Sequence, residues 1–597
     1  MAELIKHNQI YRWVFLLAVG VIPVIGVNPF WVQILTSLGI YSILAISIDL
    51  LVGYTGQVSL GHSGFYAVGA YTSGILTAQL GLPFFVTLAG GILTGMIFGA
   101  ILAFPAVRLK GFYLAMLTLS FAMIIENVLK NATPLTGGIS GLTNIPAAVF
   151  QNLSLFGITL GPVLFYYLVW VLVLASAWAT GNLVNSYWGR AFLAVEGAEV
   201  AAASLGIDVI RHKYAAFIIS AGMAALAGVL YAHMVGYLSP EAFGFHTSAL
   251  VLSMALVGGM QTTAGPIIGA AIFTLLPQYL YIFNEHQEMV YGLILLLSYT
   301  LMPKGLLGVF KKRQPLIKKV KQSFSNQALG MWAAREMHYG EQSRLKVKGL
   351  DKSFGGNMAL CKVSLDINPG EIHALIGPNG SGKTTLINVI SGVYKPDGGA
   401  VTFGENVISG LAPHKVAQLG IERTFQNLEI YPELTVLENV LLGAQTRFKT
   451  GLFANLLNLP SSREEEARQI RLAQVILTKL GLNEMQDHST GGLPYGTQKM
   501  VELARAMMAR PKVLLLDEPA AGLNAHEISH LESVLNDLKN EGITVLIIEH
   551  HLDFVLRLAN RVTVLDFGSK IFEGSPALAR RDPRVKEVYI GGDAVTA

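Results

Sequence analysis

The segment "GPNGSGKTT", residues 377–385, follows the apolar run "IHALI" directly and precedes the apolar, helix-patterned "LINVISG". In such a strand–loop–helix, Gly377, Pro378, Asn379, Gly380, Ser381 and Gly382 let backbone N–H groups close around a β-phosphate. Lys383 supplies a point charge to the β and γ phosphates, and Thr384 offers its hydroxyl to magnesium, with Thr385 beside it in the same set. The N-terminus of the helix adds partial positive charge. A second constellation, "KVLLLDEP", ends an apolar run in adjacent carboxylates, Asp517 and Glu518. Asp517 is expected to hold the magnesium and Glu518 to polarise the attacking water. Phosphoryl transfer needs charge neutralisation and an oriented nucleophile more than covalent help.

Two kinds of scaffold surround these residues. From about Arg344 onward, strand-like runs such as "EIHALIG", "KVLLLDE" and "TVLIIEH" alternate with helical patterns, which predicts an α/β domain with a largely parallel sheet. Before it, the chain is built for another solvent. Hydrophobic residues make up 52% of the whole, charged residues only 14%, and between Trp13 and Thr180 the only acids are Asp49 and Glu126. Residues 1–303 are therefore expected to form a polytopic, all-α transmembrane domain in contact with the lipid bilayer. Residues 304–343 form a cytoplasmic linker and residues 344–597 the nucleotide-binding domain. A net charge of +4 shows no nucleic-acid footprint, and the single cysteine, Cys361, excludes an internal disulfide and is expected to be a buried thiol.

Apolar runs long enough to cross about 30 Å of hydrocarbon recur at 11–27, 31–52, 58–80, 83–104, 111–129, 160–180, 214–236 and 287–303. The stretch 247–283 is too long for one span and is interrupted by "GGMQTTAGP". The first run lacks a convincing cleavage site and reads as a retained anchor. Basic residues at Arg108 and Lys110, at Arg190, at Arg211 and Lys213, and at Lys304 to Lys321 mark cytoplasmic loops. Parity then requires 247–283 to cross twice, giving ten spans, or to form a re-entrant pair, giving eight; the reading favours ten.

Some polar residues stand in apolar surroundings. Asp49 and Glu126 are expected to face the bundle interior or to lie near an interface. His62 either touches a solute or, as the better expectation, hydrogen-bonds a neighbouring carbonyl. "VGYTGQVSLGHSGFYAVGAY", residues 52–71, combines glycines with Thr55, Gln57, Ser59, His62 and Ser63, which predicts an interrupted or kinked helix near a translocation path. The recurring Gly and Ala elsewhere point to close helix packing.

The order phosphate loop, Gln426, "LPYGTQ", "LLLDEP", "AAGLN" and His550 resembles the nucleotide-binding domain of ABC transporters over about 240 residues. That resemblance implies ATP and Mg2+ as cofactors, with Phe354 of "DKSFGG" stacking on adenine and His550 contacting the γ-phosphate. It also implies that Gln426 joins the magnesium site to the membrane partner. The segment from Leu493 through Gly496 to Gln498 would face ATP held by a second cassette. Pro494, Tyr495 and Thr497 depart from the common "LSGGQ", and Asn524 stands where the family commonly has aspartate. The site built on this chain's own phosphate loop is expected to hydrolyse ATP, with Lys383, Glu518 and His550 catalytic, and the site it completes for a partner to be weaker.

More narrowly, "RTFQNLEIYPELTVLENVLLGAQ", "LDEPAAGLN" and "DPRVKEVYIGG" resemble the LivG ATPases of branched-chain amino acid importers. "GYTGQVSLGHSGFYAVGAY", "RLKGFYLAMLTLSFA", "GLTNIP" and "GGMQTTAGPIIGA" resemble the companion LivM permeases. "GRAFLAVEGAEVAAASLGID", residues 189–208, resembles the coupling loop of ABC importers. Its small residues would seat a short helix on the ATPase near Gln426, leaving Glu196 and Glu199 as groove contacts or as solvated charges; the alternative is an ordinary surface helix. The resemblance implies an importer in a bacterial cytoplasmic (inner) membrane with its ATPase domain in the cytoplasm. Its partners would be an extracytoplasmic solute-binding protein and a second permease and ATPase, or a second copy of this chain. Branched-chain or other hydrophobic amino acids are the expected solutes. Urea, short amides and organic acids are alternatives within the class, and an exporter or a non-hydrolysing regulatory module are alternatives outside it.

Overall fold

The computed structural model describes residues 28–147, 161–279, 305–310, 343–550 and 552–590, with scattered positions within 154–159 and 289–300. The apolar run 11–27 lies outside the described residues, as do most of 287–303 and of the linker 304–343. The chain divides into two compact units, Met1–Val184 with Ile210–Gln314 and Asn185–Val209 with Pro315–Ala597.

The first unit is helical. Its helices are α1 Pro29–Ile48, α2 His62–Ala78, α3 Phe84–Ala106, α4 Phe112–Asn131 and α5 Gly161–Val184. Two short helices in the second unit, α6 Tyr187–Gly197 and α7 Glu199–Ser204, come next in the chain. The first unit then resumes with α8 Val209–Val235, α9 Phe245–Gly258 and α10 Gly265–Tyr279. Among the described residues, five helices are long and apolar enough to cross a membrane: Pro29–Gly53, α3, α4, α5 and α8. Within the stretch expected to cross twice, the described residues form α9, of 14 residues, and α10, described for 15 residues as far as Tyr279. Gly259, at φ +113°, turns the chain between them.

Glycines set the closest approaches in this unit. Cβ atoms added at Gly91, Gly95 and Gly99 of α3 would lie 2.3, 2.2 and 2.5 Å from Val229, Ala225 and Ala221 of α8, respectively. The i, i+4 spacing puts all three glycines on one face, and the small residues let two backbones meet where lipid offers no hydrophobic drive. The other face of α3 shows Phe85, Leu93, Ile97, Ile101 and Phe104 outward, and α4 shows Met123, Ile124 and Val128. Apolar side chains left exposed along both helices are what a lipid-facing surface requires.

The expected break after α1 is present. The helix widens to a π turn at Asp49–Gly53, runs irregularly past Gly56 (φ +65°), and restarts at His62. Asp49 Oδ1 accepts the Gln261 backbone N–H at 2.8 Å, and the Gln261 side chain donates to the Gly53 carbonyl at 2.9 Å, so the π turn is tied to the α9–α10 loop. His62 is fully buried between two serine hydroxyls, Ser59 at 3.0 Å and Ser220 at 2.8 Å, where a carbonyl partner was expected. Ser220 passes the chain on to the Ser47 carbonyl at 2.6 Å. These bonds satisfy backbone and imidazole that no water would reach. Glu126 pairs with Lys130 one turn along α4 at 2.6 Å.

In the second unit, β1 Leu345–Phe354 and β2 Asn357–Ile367 open an antiparallel sheet. Next come β3 Ile372–Ile376, α11 Lys383–Ile390, β4 Gly398–Phe403, α12 Pro413–Gln418, β5 Ile421–Arg423, α13 Val436–Leu442, α14 Pro460–Lys479 and α15 Tyr495–Met508. The unit continues with β6 Val513–Asp517, α16 Ala525–Asn540, β7 Thr544–Ile548, β8 Arg561–Asp566 and β9 Ser569–Gly574, and two short helices, Pro576–Ala579 and Pro583–Ile590, follow. One sheet has the order β9-β8-β3-β7-β6-β5, parallel except for β9; the other runs β2-β1-β4 and on to a short strand, Asn406–Val407.

Strands β3, β6 and β7 are buried at every residue, the burial that a parallel sheet covered on both faces demands. Alternation sorts their side chains. Leu514, Leu516, Val545 and Ile547 join the core under α13–α16, while Val513, Leu515, Leu546 and Ile548 join the core shared with β1, β2 and α11. Truncating Leu515 to alanine would cost about 2–5 kcal/mol, a large part of a typical domain's stability. Cys361 is exposed, which corrects the expectation of a buried thiol. Irregular register between β1 and β2 gives β2 the sequence of two outward residues, Cys361 and Lys362, between inward Leu360 and Val363.

Candidate nucleotide-binding site

Strand β3 delivers the loop 377–382 and α11 carries it away. Gly377, Gly380 and Gly382 have φ of +151°, +81° and +97°. A Cβ on Gly377 would lie 2.2 Å from the Leu565 carbonyl and one on Gly382 2.5 Å from that of Ala359, so neither position accepts a side chain. Lys383 opens α11 and its Nζ donates to the Gly377 and Pro378 carbonyls, both at 2.8 Å, which curls the loop around the ammonium group. Burial pushes the ammonium below its ordinary pKa, against the opposing charges of Glu518 and Asp517. Ser381 is buried; Thr384 and Thr385 stand on the first turn of α11, exposed and half-buried.

Parallel pairing aligns the acids. Ile548 of β7 stands opposite Asp517 of β6, so Glu518 and His550 leave neighbouring strand ends together. The Glu518 N–H donates to the Ile548 carbonyl at 3.0 Å, and Glu518 Oε1 lies 2.8 Å from His550 Nε2. Glu518 holds φ at +50°, a left-handed conformation that costs a non-glycine residue on the order of 1 kcal/mol. Glu549 anchors the chain on either side, accepting from the N–H groups of Ala520 (2.7 Å) and His550 (3.1 Å).

Asp517 is buried. Its Oδ2 accepts from Arg423 Nη2 at 3.2 Å, while Oδ1 has no hydrogen-bond partner among the described residues. Burial pushes its carboxyl up, with the Arg423 guanidinium opposing. A buried carboxylate oxygen left open fits a hard divalent cation, which takes few protein ligands when it shares the oxygens of a nucleotide. No cluster of three or more His, Cys, Asp and Glu suited to a metal occurs among the described residues, so a cation here would complete its shell with Thr384, phosphate and water.

Phe354, at the end of β1, is 43% exposed and meets Tyr394 edge-on at 5.1 Å. Behind it Lys352 lies 5.2 Å from the ring centroid and is held by Asp397 at 2.8 Å. Asp397 also accepts from the Ser353 N–H (2.7 Å) and hydroxyl (2.9 Å), and the Lys352 and Ser353 bonds hold its carboxyl down at about 2. Gln426 is exposed on the turn after β5, its carbonyl accepting from Lys499 Nζ at 3.4 Å. Leu493 packs on the apolar core, and Gly496, in the first turn of α15, sits so close to Glu527 that a Cβ would be 2.0 Å from its Oε1. The structure thus brings Lys383, Asp517, Glu518 and His550 together, and leaves Phe354 and Gln426 on exposed edges.

Asn524 caps α16, its side chain accepting from the N–H groups of His526 and Glu527 at 3.0 Å while Glu527 returns a bond to the Asn524 N–H. Asparagine and aspartate cap helices equally well, which gives the departure at this position a structural account. Sequence reading missed Arg423, Lys499, Glu502 and Arg505, all buried. The signal was the charged pair Glu422–Arg423 on a strand of otherwise apolar sheet.

Helices α6 and α7 pack onto the cassette. Arg190, fully buried, makes a bidentate pair with Glu466 of α14 at 2.6 and 3.1 Å. Tyr187 stacks on Phe448, with ring centroids 4.3 Å apart and planes within 2°, and its hydroxyl donates to the Thr450 carbonyl. A Cβ on Gly197 would lie 3.1 Å from the Tyr431 ring, and one on Gly206 (φ +80°) 2.2 Å from Thr446. The segment is therefore seated on residues 431–466, which begin five positions after Gln426 in the chain, and is not an ordinary surface helix. Glu196 is exposed and Glu199 half-buried.

Residues 30–299 match the family model described as branched-chain amino acid transport system / permease component, and residues 360–521 match that of the ABC transporters. The chain is 40% identical over 42% of its length to the high-affinity branched-chain amino acid transport ATP-binding protein LivG of Salmonella typhimurium, covering 98% of it. It is 36% identical over 52% of its length to the permease protein LivM of the same organism, covering 79% of that chain. A solved nucleotide-free ATP-binding cassette from an ABC transporter is 38% identical over 41% of this chain and 98% of its own, with a TM-score of 0.37. The chain belongs to the ABC transporters of the branched-chain amino acid transport family and joins, in one polypeptide, a permease component and an ATPase coupled to transport.

Proposed function

We propose that this protein is one permease-plus-ATPase half of an importer in a bacterial cytoplasmic membrane, driven by ATP and fed by an extracytoplasmic solute-binding protein. The observation that carries the proposal is the seating of residues 187–208 on the cassette: a segment from between two membrane helices is held by a buried ion pair to Glu466 and an aromatic stack on Phe448. Such a segment converts a change in the ATP site into a displacement of the helices that follow it.

At the site, the loop 377–382, Lys383, Thr384 and Thr385 would hold the phosphates and Phe354 the adenine. Asp517, Thr384 and Gln426 are the assigned positions for Mg2+, which when bound neutralises charge on the transferring phosphoryl group. Glu518 orients and deprotonates water, and His550, 2.8 Å from it, fixes the carboxylate and reaches the γ-phosphate. Leu493 and Gly496 would serve ATP held by a second cassette, so the assembly needs another permease and ATPase or another copy of this chain. Branched-chain or other hydrophobic amino acids are the proposed solutes, after the names of the LivG and LivM relatives.

The reading is tested by reconstituting the chain in proteoliposomes with binding proteins loaded with leucine, urea or a dicarboxylic acid. Leucine-loaded binding protein should stimulate hydrolysis and drive leucine inward. Turnover that no loaded binding protein stimulates, and that Glu518→Gln leaves intact, would refute it.

A further inference from the structure

The two oxygens of Asp517 are treated differently. Oδ2 is tied to Arg423 at 3.2 Å, and Oδ1 is buried with no hydrogen-bond partner among the described residues. An ion pair on one oxygen sets the plane of a carboxylate and thereby the direction in which the other presents its lone pairs. Arg423 is itself 5% exposed. Its second amino group, Nη1, donates to Asn388 of α11 and, at 3.3 Å, to Ser391 just beyond that helix. Its guanidinium lies 5.0 Å from the ring centroid of Phe425, whose N–H donates to Glu502 at 3.1 Å and whose carbonyl accepts from Lys499.

We propose that Arg423 is a positioning residue for the divalent cation of the bound nucleotide: it holds Asp517 so that Oδ1 is left for the cation, and it joins that oxygen to the Phe425–Gln426 turn. The inference rests on the nucleotide-site reading above. Arginine is required because one planar fork reaches the acid on one side and the end of the loop helix on the other; a lysine ammonium, a point charge, cannot hold both. Removing the outer partner of a metal-ligating carboxylate typically weakens metal binding 10- to 100-fold, whereas a general loss of structure weakens nucleotide binding as well.

The test uses the full chain in detergent. Mn2+ affinity of the ADP-loaded protein is read by EPR, and MANT-ADP affinity is read separately in EDTA. Arg423→Lys should weaken Mn2+ binding on the order of tenfold while cation-free MANT-ADP affinity stays unchanged. Asn388→Ala, which removes one of the two far anchors of Arg423 and leaves Ser391, should shift Mn2+ affinity in the same direction by less, and it decides the matter if Arg423→Lys does not fold. Unshifted Mn2+ affinity in the variants, or an equal fall in cation-free MANT-ADP affinity, overturns the proposal alone. Wild-type protein that binds no MANT-ADP overturns the nucleotide-site reading and the proposal with it.

Discussion

Cutting the Arg190–Glu466 pair should uncouple hydrolysis from transport without abolishing hydrolysis. Arg190 is fully buried and meets both carboxylate oxygens, at 2.6 and 3.1 Å, with Phe448 5.9 Å from the guanidinium carbon. Breaking a fully buried pair costs about 3–5 kcal/mol, because a charge is left behind. Glu466 keeps a fifth of its side chain in water and recovers some hydration, so Arg190→Ala should cost about 2–3 kcal/mol, roughly a 30- to 150-fold loss in the equilibrium for seating α6. The Tyr187–Phe448 stack remains, so seating should weaken rather than vanish. Seating can be read with the stack intact by hydrogen exchange of the backbone amides of residues 187–208, beside ATPase rates with and without loaded binding protein. R190A should speed exchange there and lower stimulation while basal turnover persists; E466A should do the same, and R190E/E466R should restore part of both. Strictly additive single and double variants, or unchanged exchange in R190A, would refute the reasoning.

Glu518→Gln should lower steady-state hydrolysis by a factor on the order of 10² or more while nucleotide affinity, read with MANT-ATP, holds; persistent turnover would move the water-activating role elsewhere. Gly61→Ala would place a Cβ 2.3 Å from the Thr118 carbonyl, and should cost about 1–3 kcal/mol, seen as a fall in Tm; an unchanged Tm would mean that the α2–α4 seam relaxes freely. Asp397 has its carboxyl pKa depressed from 3.8 to about 2 by Lys352 and Ser353, so its contribution is full above about pH 4 and drains as pH falls towards 2. Asp397→Asn should flatten that acid limb in the fluorescence of a Phe354→Trp reporter; an identical limb in the variant would assign it to another group.

What could be read from the chain alone was local. The phosphate loop is nine consecutive residues whose glycines and lysine do their work within one turn, and Asp517–Glu518 sit at the end of a strand that its own hydrophobicity announces. The break before His62 was legible for the same reason. Hidden from view were pairings between distant positions. Arg423 meets Asp517 from 94 residues away, and Arg190 meets Glu466 from 276. The turn in the apolar stretch after residue 247 was legible at "GGMQTTAGP", but the bonds from its Gln261 to Asp49 and Gly53 were not, because they join positions 212 and 208 residues apart. Cys361 was misjudged because burial on β2 follows an irregular register with β1, which a reading of residue types does not contain.

The surface that receives residues 187–208 includes Phe448, Tyr431 and the carboxylate of Glu466. In transporters assembled from separate polypeptides, such a surface must find its partner by diffusion, and dilution favours the separated state. Here both halves travel on one chain, and linked modules meet at effective concentrations that reach the millimolar range. Re-seating after each excursion is then first order and insensitive to expression level, and a foreign permease has to outcompete a neighbour that never leaves. The fusion thereby selects its own pairing through kinetics, with no added contact at the interface.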